Sequence, residues 1–451
     1  MVEPREAVET VAFIDNYCAV YRDLFVDVRS FEAFKFLHLG MISEIARKTL
    51  PAIAKAVGLP NDQVLHHFLT ESPWDVVSLR NRRLSLILQQ LQGRSIVLVI
   101  DDTGDRKKGK TTDYVARQYI GNLGKIDNGI VSVNAYGVLE GMTFPLAFKV
   151  FKPQGRLKAQ DTYKTKLQLA QEIIQELQAF GFRFELALAD SFYGECHPFI
   201  RVLNQFELHF IVAIRSNHGV WMPREQRIRY THWKAFERIF SDGNSEVRYL
   251  QEIIFGKRRT LRYWTVTTDP LNLPQNSTWF LMSNLPKALD KAVGNLYGLR
   301  TWVEYGFKQC KNHLGWADFR LTRYEQIERF AAGGRHERWE VVSSAYLMVT
   351  LQFGGLDSSN DQDSGQQQAG LLEKLSQHPW WNQLQGWKHR LNNLQLVIQP
   401  YVYFCLIKPW LKVFEIPPLK TGFGRLITIM NEFQGWIPTK EQLANLLFSS
   451  A

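Results

Sequence analysis

The chain has 451 residues, 45% hydrophobic and 22% charged, with 54 Lys and Arg against 44 Asp and Glu, so its formal net charge is +10. That length exceeds one compact unit and sets two or three domains as the expectation. The positive balance favours a polyanionic partner, nucleic acid first. Cys18, Cys196, Cys310 and Cys405 lie far apart with no CxxC pair, which excludes a zinc ribbon and a disulfide framework and fits a reducing cytoplasm.

The opening MVEPREAVETVAFID carries acids and no long apolar stretch, which argues against a signal peptide. Residues 1–93 read as helical and are expected to form an N-terminal DNA-binding region. Within them, Ile53 to Val64 resembles a helix-turn-helix: Ala54 allows close packing, Gly58 permits the turn and Val64 is expected to anchor the second helix. An ordinary helical hairpin fits the same residues.

The period then changes. Ile96 to Ile100 is an apolar run of strand length ending in Asp101-Asp102, and Val131–Val138 and Met142–Val150 flank Glu140-Gly141 as a hairpin. Asp161 is expected to cap a helix with Leu167, Ala170, Ile174 and Leu177 on its apolar face, closed by Gly181. Phe184–Ala189 predicts a strand ending in Asp190. A short helix with Phe199, Leu203 and Phe206 follows, then the strand Leu208–Ile214. Three strands, a helix, a strand, a helix and a strand is the element order of an α/β, RNase H-like mixed sheet, with its first part at 94–216.

Residues 217–290 read as a β-rich insertion, with strands at Val247–Phe255, Thr260–Thr267 and Ser277–Ser283. A helix from Leu296 to about Leu314 returns to close the core within 291–353. The polar stretch 354–370 is expected as a linker, and 371–451 as a helical tail. Its most apolar segment, Leu394–Ile407, is short and interrupted by Gln399 and Pro400, so no membrane span is expected. No internal repeat is present.

Phosphodiester cleavage needs carboxylates that place divalent ions, and hard ions such as Mg²⁺ want oxygen ligands. In an RNase H-like sheet the ends of the first and fourth strands are adjacent, so Asp102 and Asp190 should converge although distant in sequence. Either one alone reads more simply as a turn former or helix cap. Tyr297, Arg300, Glu304, Lys308 and Lys311 fall within one face of a helix at about 100° per residue. An acid among cations suits a metal ligand beside a phosphate track; an exposed helix with ion pairs one turn apart is the plainer reading. Trp279 and Trp302 could stack on an unpaired base, but both read as core.

These residues carry a resemblance. Tyr297, Arg300, Glu304 and Lys311 match the signature Y-x2-R-x3-E-x6-K of a large group of DDE transposases of bacterial insertion sequences. Ile100-Asp101-Asp102-Thr103-Gly104 and Leu188-Ala189-Asp190-Ser191-Phe192-Tyr193-Gly194 resemble that group's first and second acidic motifs. Lys107-Lys108-Gly109-Lys110 and Ala116-Arg117-Gln118-Tyr119 resemble the subgroup around insertion sequence 701. The resemblance covers roughly residues 45–350. It implies Asp102, Asp190 and Glu304 as catalytic residues and as ligands of two Mg²⁺ ions, for which Mn²⁺ can substitute; Asp102 is preferred to Asp101 because the family acid precedes the Thr. It implies Tyr297, Arg300 and Lys311 as DNA contacts, to which the shared helix face adds Lys308, and transposon-end inverted repeats and target DNA as partners. A homodimer in the DNA complex and a cytoplasmic, nucleoid-associated bacterial setting are implied as well.

Two alternatives stand beside it. Gly104 to Thr111 satisfies the P-loop pattern GxxxxGK[ST] after a strand, although Asp102 and Asp105 would put negative charge where phosphate should be cradled. A non-catalytic DNA-binding protein derived from a transposase would keep the basic faces and lose an acid; all three acids are present.

Overall fold

A computed structural model describes residues 5–109, 112–222, 224–240, 243–257, 260–316, 318, 337–352, 362–384, 386–438 and 442. The chain forms two compact units: one from 1–92, 111–113 and 308–451, the other from 93–110 and 114–307.

The first unit opens with α1 (Ala12–Ala19), α2 (Val28–Ile42), α3 (Leu50–Ala56), α4 (Gln63–Thr70) and α5 (Val76–Leu91). Asp27 and Asp75 cap α2 and α5, each accepting from the backbone N–H three residues on. The α3–α4 pair has helix-turn-helix spacing, with Ala54 buried and Gly58 left-handed at φ 76° in the turn. Val64, expected as the anchor, is 40% exposed, and Leu65, Phe68 and Leu69 anchor α4 instead. Phe68 stacks on Trp74 and so draws that helix face inward.

α2 is buried nearly all round. Inside it His38 bonds the Phe34 carbonyl and the Ser344 hydroxyl, and burial pushes its imidazole down to about 4. A folded-state pKa below the unfolded value near 6.5 means the stability is complete above pH 6.5 and is lost as pH falls towards 4. Over that window the cost is about 3 kcal/mol, at 1.36 kcal/mol per unit. Thermal melting should therefore drop across this range, and His38→Gln, which cannot charge there, should flatten the drop; parallel profiles would refute the assignment.

The second unit is built on one sheet. Its elements are β1 (Ile96–Arg106), β2 (Ala116–Ile120), β3 (Lys125–Leu139), β4 (Met142–Val150), α6 (Lys166–Phe180), β5 (Phe184–Ala189), α7 (Ser191–Gly194), α8 (His197–Gln205) and β6 (Phe210–Ile214). Then come β7 (Ile228–Tyr230), β8 (Lys234–Ile239), β9 (Ser245–Phe255), β10 (Arg262–Thr267), β11 (Trp279–Ser283), α9 (Val293–Gly298) and α10 (Arg300–Lys308). β4, β3 and β1 pair antiparallel, and β1, β5 and β6 pair parallel, which is the RNase H-like arrangement. The Glu140-Gly141 turn has both residues at positive φ, as a tight hairpin requires.

Several expectations are corrected here. β1 does not stop at Asp101-Asp102 but runs on to Arg106, paired with β3 as far as Gly129. That overturns the P-loop alternative: Gly104–Arg106 is ladder, not a phosphate-cradling turn, and the next element is β2 rather than a helix; Lys110 and Thr111 lie outside the described residues. Asp161 does not cap α6. Thr165 does, in a reciprocal capping box with Gln168, while Asp161 accepts from Tyr114 and Lys152.

The strand-rich segment interrupts the core along the chain, as expected, and in space it also extends the sheet, because β11 pairs antiparallel with β6 and covers what would be an open edge. The helix expected from Leu296 to Leu314 is broken at Leu299 and becomes a π-helical turn over Gln309–His313.

The first unit resumes with α11 (Glu337–Leu351), α12 (Gln362–Ser376), α13 (Trp387–Val413) and α14 (Pro417–Met430). The second half of the stretch expected as a linker is helix from Gln362; Gln and Ala are good helix formers, and Leu371 and Leu375 bury its far end. Residues 354–361 lie outside the described residues. Among the described residues no helix is long and apolar enough to cross a membrane.

Candidate active site

Side chains alternate along a strand. Val97 and Val99 of β1 and Leu186 and Leu188 of β5 belong to the core cluster that also takes Trp302, Val303 and Phe307 of α10. Parallel pairing sets Val97 against Leu186, Val99 against Leu188 and Ile100 against Ala189. Continuing that face past the end of the ladder brings Asp101 level with Asp190, on the side where α10 packs. Gly306 makes the packing close: a Cβ there would stand 2.7 Å from the Tyr136 ring.

Arg300, at the start of α10, ties the acids together. One of its terminal nitrogens donates to Asp101 Oδ2 at 2.9 Å, the other to Glu304 Oε1 at 2.8 Å. Asp101 Oδ1 accepts the Asp102 N–H at 2.8 Å, so both oxygens of this buried carboxylate are engaged. Asp102 accepts from Lys166 Nζ at 2.5 Å and stands close enough to Asp190 to raise its carboxyl. Asp190 caps α7, accepting the N–H groups of Phe192 and Tyr193.

The electrostatics are those of crowded anions. Burial, against the pull of Arg300 and with Asp190, Asp102 and Glu304 nearby, pushes the Asp101 carboxyl up to about 7. Burial also raises Asp190, with Arg300 opposing and Asp102 adding to the rise. Burial works against the Arg300 cation, yet Tyr297, Asp101, Glu304 and Asp190 hold its pKa well above the ordinary range. Asp190 is thus within electrostatic reach of both Asp102 and the Arg300 group. Tyr193 adds a buried hydroxyl that makes no hydrogen bond among the described residues, its pKa driven well up by burial and then by Asp102, Asp101 and Asp190.

The residues expected as DNA contacts divide. Glu304 and, one turn on, Lys308 are exposed on α10. Arg300 is mostly covered and committed to carboxylates. Tyr297 is 4% exposed, its ring edge-on to Trp279 at 5.5 Å, so it sits in the core and not on an open face. Lys311 lies in the π-helical turn with its ammonium 5.4 Å from the Trp316 ring. Trp302 is core, as expected, and Trp279 is packed between Arg248, Arg238 and Tyr297.

Two residues escaped sequence reasoning. Lys166, the first residue of α6 after the Thr165 cap, reaches Asp102. Arg238 of β8 is buried, donates to Thr301 of α10 at 2.7 Å and to Glu246 at 2.9 Å, and so anchors the Glu304 helix. Neither lies in a motif read above; the Thr165–Gln168 box that sets the start of α6 carries the capping signature, but the cap was expected at Asp161.

Among the described residues, no three Asp, Glu, His or Cys side chains stand close enough together to hold a metal ion as they are. The donor set nonetheless fits a hard divalent ion. It is made of carboxylate oxygens, burial and then neighbouring acids raise Asp101 and Asp190, and a buried hydroxyl beside it has no hydrogen-bond partner among the described residues.

Two comparisons with known proteins bear on the family. The family model described as DDE superfamily endonuclease matches residues 24–235, which include both β1 acids and Asp190. A protein of Microchaete diplosiphon, described as "Probable transposase for insertion sequence element IS701", is 61% identical over 329 residues, 73% of this chain and 87% of its own length. With its RNase H-like sheet, its clustered acids and that identity over most of a relative's length, the chain belongs to the DDE-superfamily transposases of the IS701 type.

Proposed function

We propose that this transposase cuts DNA at the inverted repeats of its own element and joins the freed ends to target DNA, with Asp102, Asp190 and Glu304 as the catalytic carboxylates. The observation that carries the reading is the gathering of carboxylates from β1, β5 and α10: Arg300 bonds Asp101 and Glu304, and Asp190 lies within electrostatic reach of both Arg300 and Asp102. Asp102 is preferred to Asp101 within the pair because it has one displaceable partner, Lys166, whereas both Asp101 oxygens are committed. Asp101 is then a positioning residue: it holds Arg300, which holds Glu304.

Asp102, Asp190 and Glu304 would hold two Mg²⁺ ions, or Mn²⁺ in their place. When bound, such ions activate the attacking hydroxyl and stabilise the leaving oxygen. The chain's own groups orient the acids: Arg300 offsets their repulsion, and the α7 N–H groups fix Asp190. Lys308 and Lys311 would lie against the phosphate backbone, and Arg300 and Tyr297 would support the site from beneath. Hydrolysis at the transposon end frees a 3′-hydroxyl, which then attacks a phosphodiester of the target. A homodimer would pair two ends.

The test is cleavage of a labelled duplex taken from the DNA flanking the coding sequence. Mg²⁺ or Mn²⁺ should support cutting and Ca²⁺ should not, because the reaction demands tight octahedral geometry. Cutting undiminished by a chelator would refute the proposal.

A further inference from the structure

The β2–β3 hairpin contains the Ala116-Arg117-Gln118-Tyr119 motif, to which the acid site assigns no role. Its orientation is set by glycines. Ile120 packs where a Cβ on Gly104 or Gly129 would stand, at 2.9 and 2.6 Å from its side chain, and Gln118 donates to the Gly129 carbonyl at 2.8 Å. With Gln118 and Ile120 turned inward, alternation turns Arg117 and Tyr119 outward. Cross-strand pairing places Ile126 opposite Tyr119. Tyr119 is 57% exposed and Ile126 60%, and Arg117 is exposed between them and the core.

A basic strip is fastened alongside. Beyond the end of β1, the Lys107 N–H donates to the Asn128 carbonyl at 2.9 Å, and the Asn128 amide donates to the carbonyls of Lys107 and Gly109 at 2.8 Å each. This clamp holds Lys107 and Lys108 beside the hairpin in place of a free loop. Residues 106–109 and 116–128 together carry Arg106, Lys107, Lys108, Arg117 and Lys125 against one acid, Asp127. Arg106 and Lys125 are both drawn to Asp127, which leaves Lys107, Lys108 and Arg117 as the cations to match a polyanion.

We infer that this hairpin face, Arg117, Tyr119 and Ile126 with Lys107 and Lys108, is a second DNA contact that grips the sugar-phosphate backbone away from the cut. The inference rests on the transposase reading for its substrate. β1 itself sets the spacing: five residues separate Asp102 from Lys107, about 17 Å at a strand rise near 3.3 Å. On duplex DNA at 3.4 Å per nucleotide, that corresponds to about five base pairs from the scissile phosphate. The cations meet phosphates, and the Tyr119–Ile126 pair offers an apolar surface to sugars or to an unstacked base. Charge alone would suit any solvated edge strand; it is the exposed Tyr119–Ile126 pair beside the cations that a DNA backbone contact explains.

The probe is a fluorescent 30-base-pair duplex, titrated with the full-length protein at several salt concentrations; the exposed Arg201→Ala on α8 is the control. Removing Lys107, Lys108 and Arg117 together should reduce the slope of log affinity against log salt by about 2.7, at 0.9 per phosphate contact. Tyr119→Ala should weaken binding about ten-fold with the slope unchanged. Parental slope and affinity in both variants, with normal melting, would overturn the inference. On a cleavable transposon end, backbone protection about five base pairs from the cut should vanish in the triple variant; protection that persists there also overturns it. Loss of slope in a protein that never cuts would sink the transposase reading and leave the hairpin contact standing, so the two failures are distinguishable.

Discussion

Replacing Asp102 by Asn, Asp190 by Asn or Glu304 by Gln should each reduce strand cleavage at least about a thousand-fold, with melting temperature and duplex binding little changed. An amide keeps the shape of a carboxylate and loses the charge that would hold a divalent ion, so the defect falls on chemistry and not on packing. Because the acids act as one unit, double variants should be scarcely worse than single ones. Asp101→Asn is the discriminating comparison. Its carboxylate accepts from Arg300 and from the Asp102 backbone, so its loss should loosen the Glu304 helix and cost about ten-fold, the value of one charge-assisted hydrogen bond. An inactive Asp101→Asn beside an active Asp102→Asn would reverse the two roles. Full cutting by Glu304→Gln would remove α10 from the site altogether.

The second large effect concerns stability. In the helical unit Arg83 of α5 and Glu340 of α11 form an ion pair at 2.8 Å with side chains 0% and 2% exposed, and the guanidinium lies over the Trp339 ring at 5.2 Å. A pair this deep is costly to desolvate, and its net contribution over an apolar pair is small. Breaking it is another matter, because the remaining charge has no water to turn to. Arg83→Ala or Glu340→Ala should therefore destabilise the unit by about 3–5 kcal/mol. The Arg83→Met, Glu340→Leu double variant should recover much of that loss. Chemical denaturation of the three proteins tests this, and single variants within about 1 kcal/mol of the parent, far below the loss expected for an orphaned buried charge, would show that the charges are relieved by other means.

Much of the site was legible because its chemistry lies in short stretches. Asp101-Asp102, Asp190 and the spacing from Tyr297 to Lys311 are local patterns, and strand period placed the Asp pair in β1 and Asp190 at the end of β5, while the helix reading found Glu304 but not the break at Leu299. Boundaries were read less well where pairing partners decide them. Nothing between Asp102 and Arg106 looks like a strand, yet β3 offers a ladder as far as Gly129 and the chain takes it. β2, β7 and β8 went unread for the same reason: each is short and polar, and each is held by a neighbour's free edge.

The sequence by itself determined the mixed α/β class, the three acidic segments and the helical ends, since each follows from periodicity or residue type within a few turns of chain. The tertiary structure alone decided which groups face one another. Alternation about the β1–β5 register put Asp101 on the α10 side and gave Asp102 to Lys166. The break at Leu299 buried Tyr297 and left Arg300 to bridge the acids. The pairing of β11 with β6 made a single sheet of what reads as a core and an insertion. These outcomes depend on contacts between residues tens to hundreds of positions apart, and side-chain direction at such contacts is set by register and packing, which no local pattern encodes.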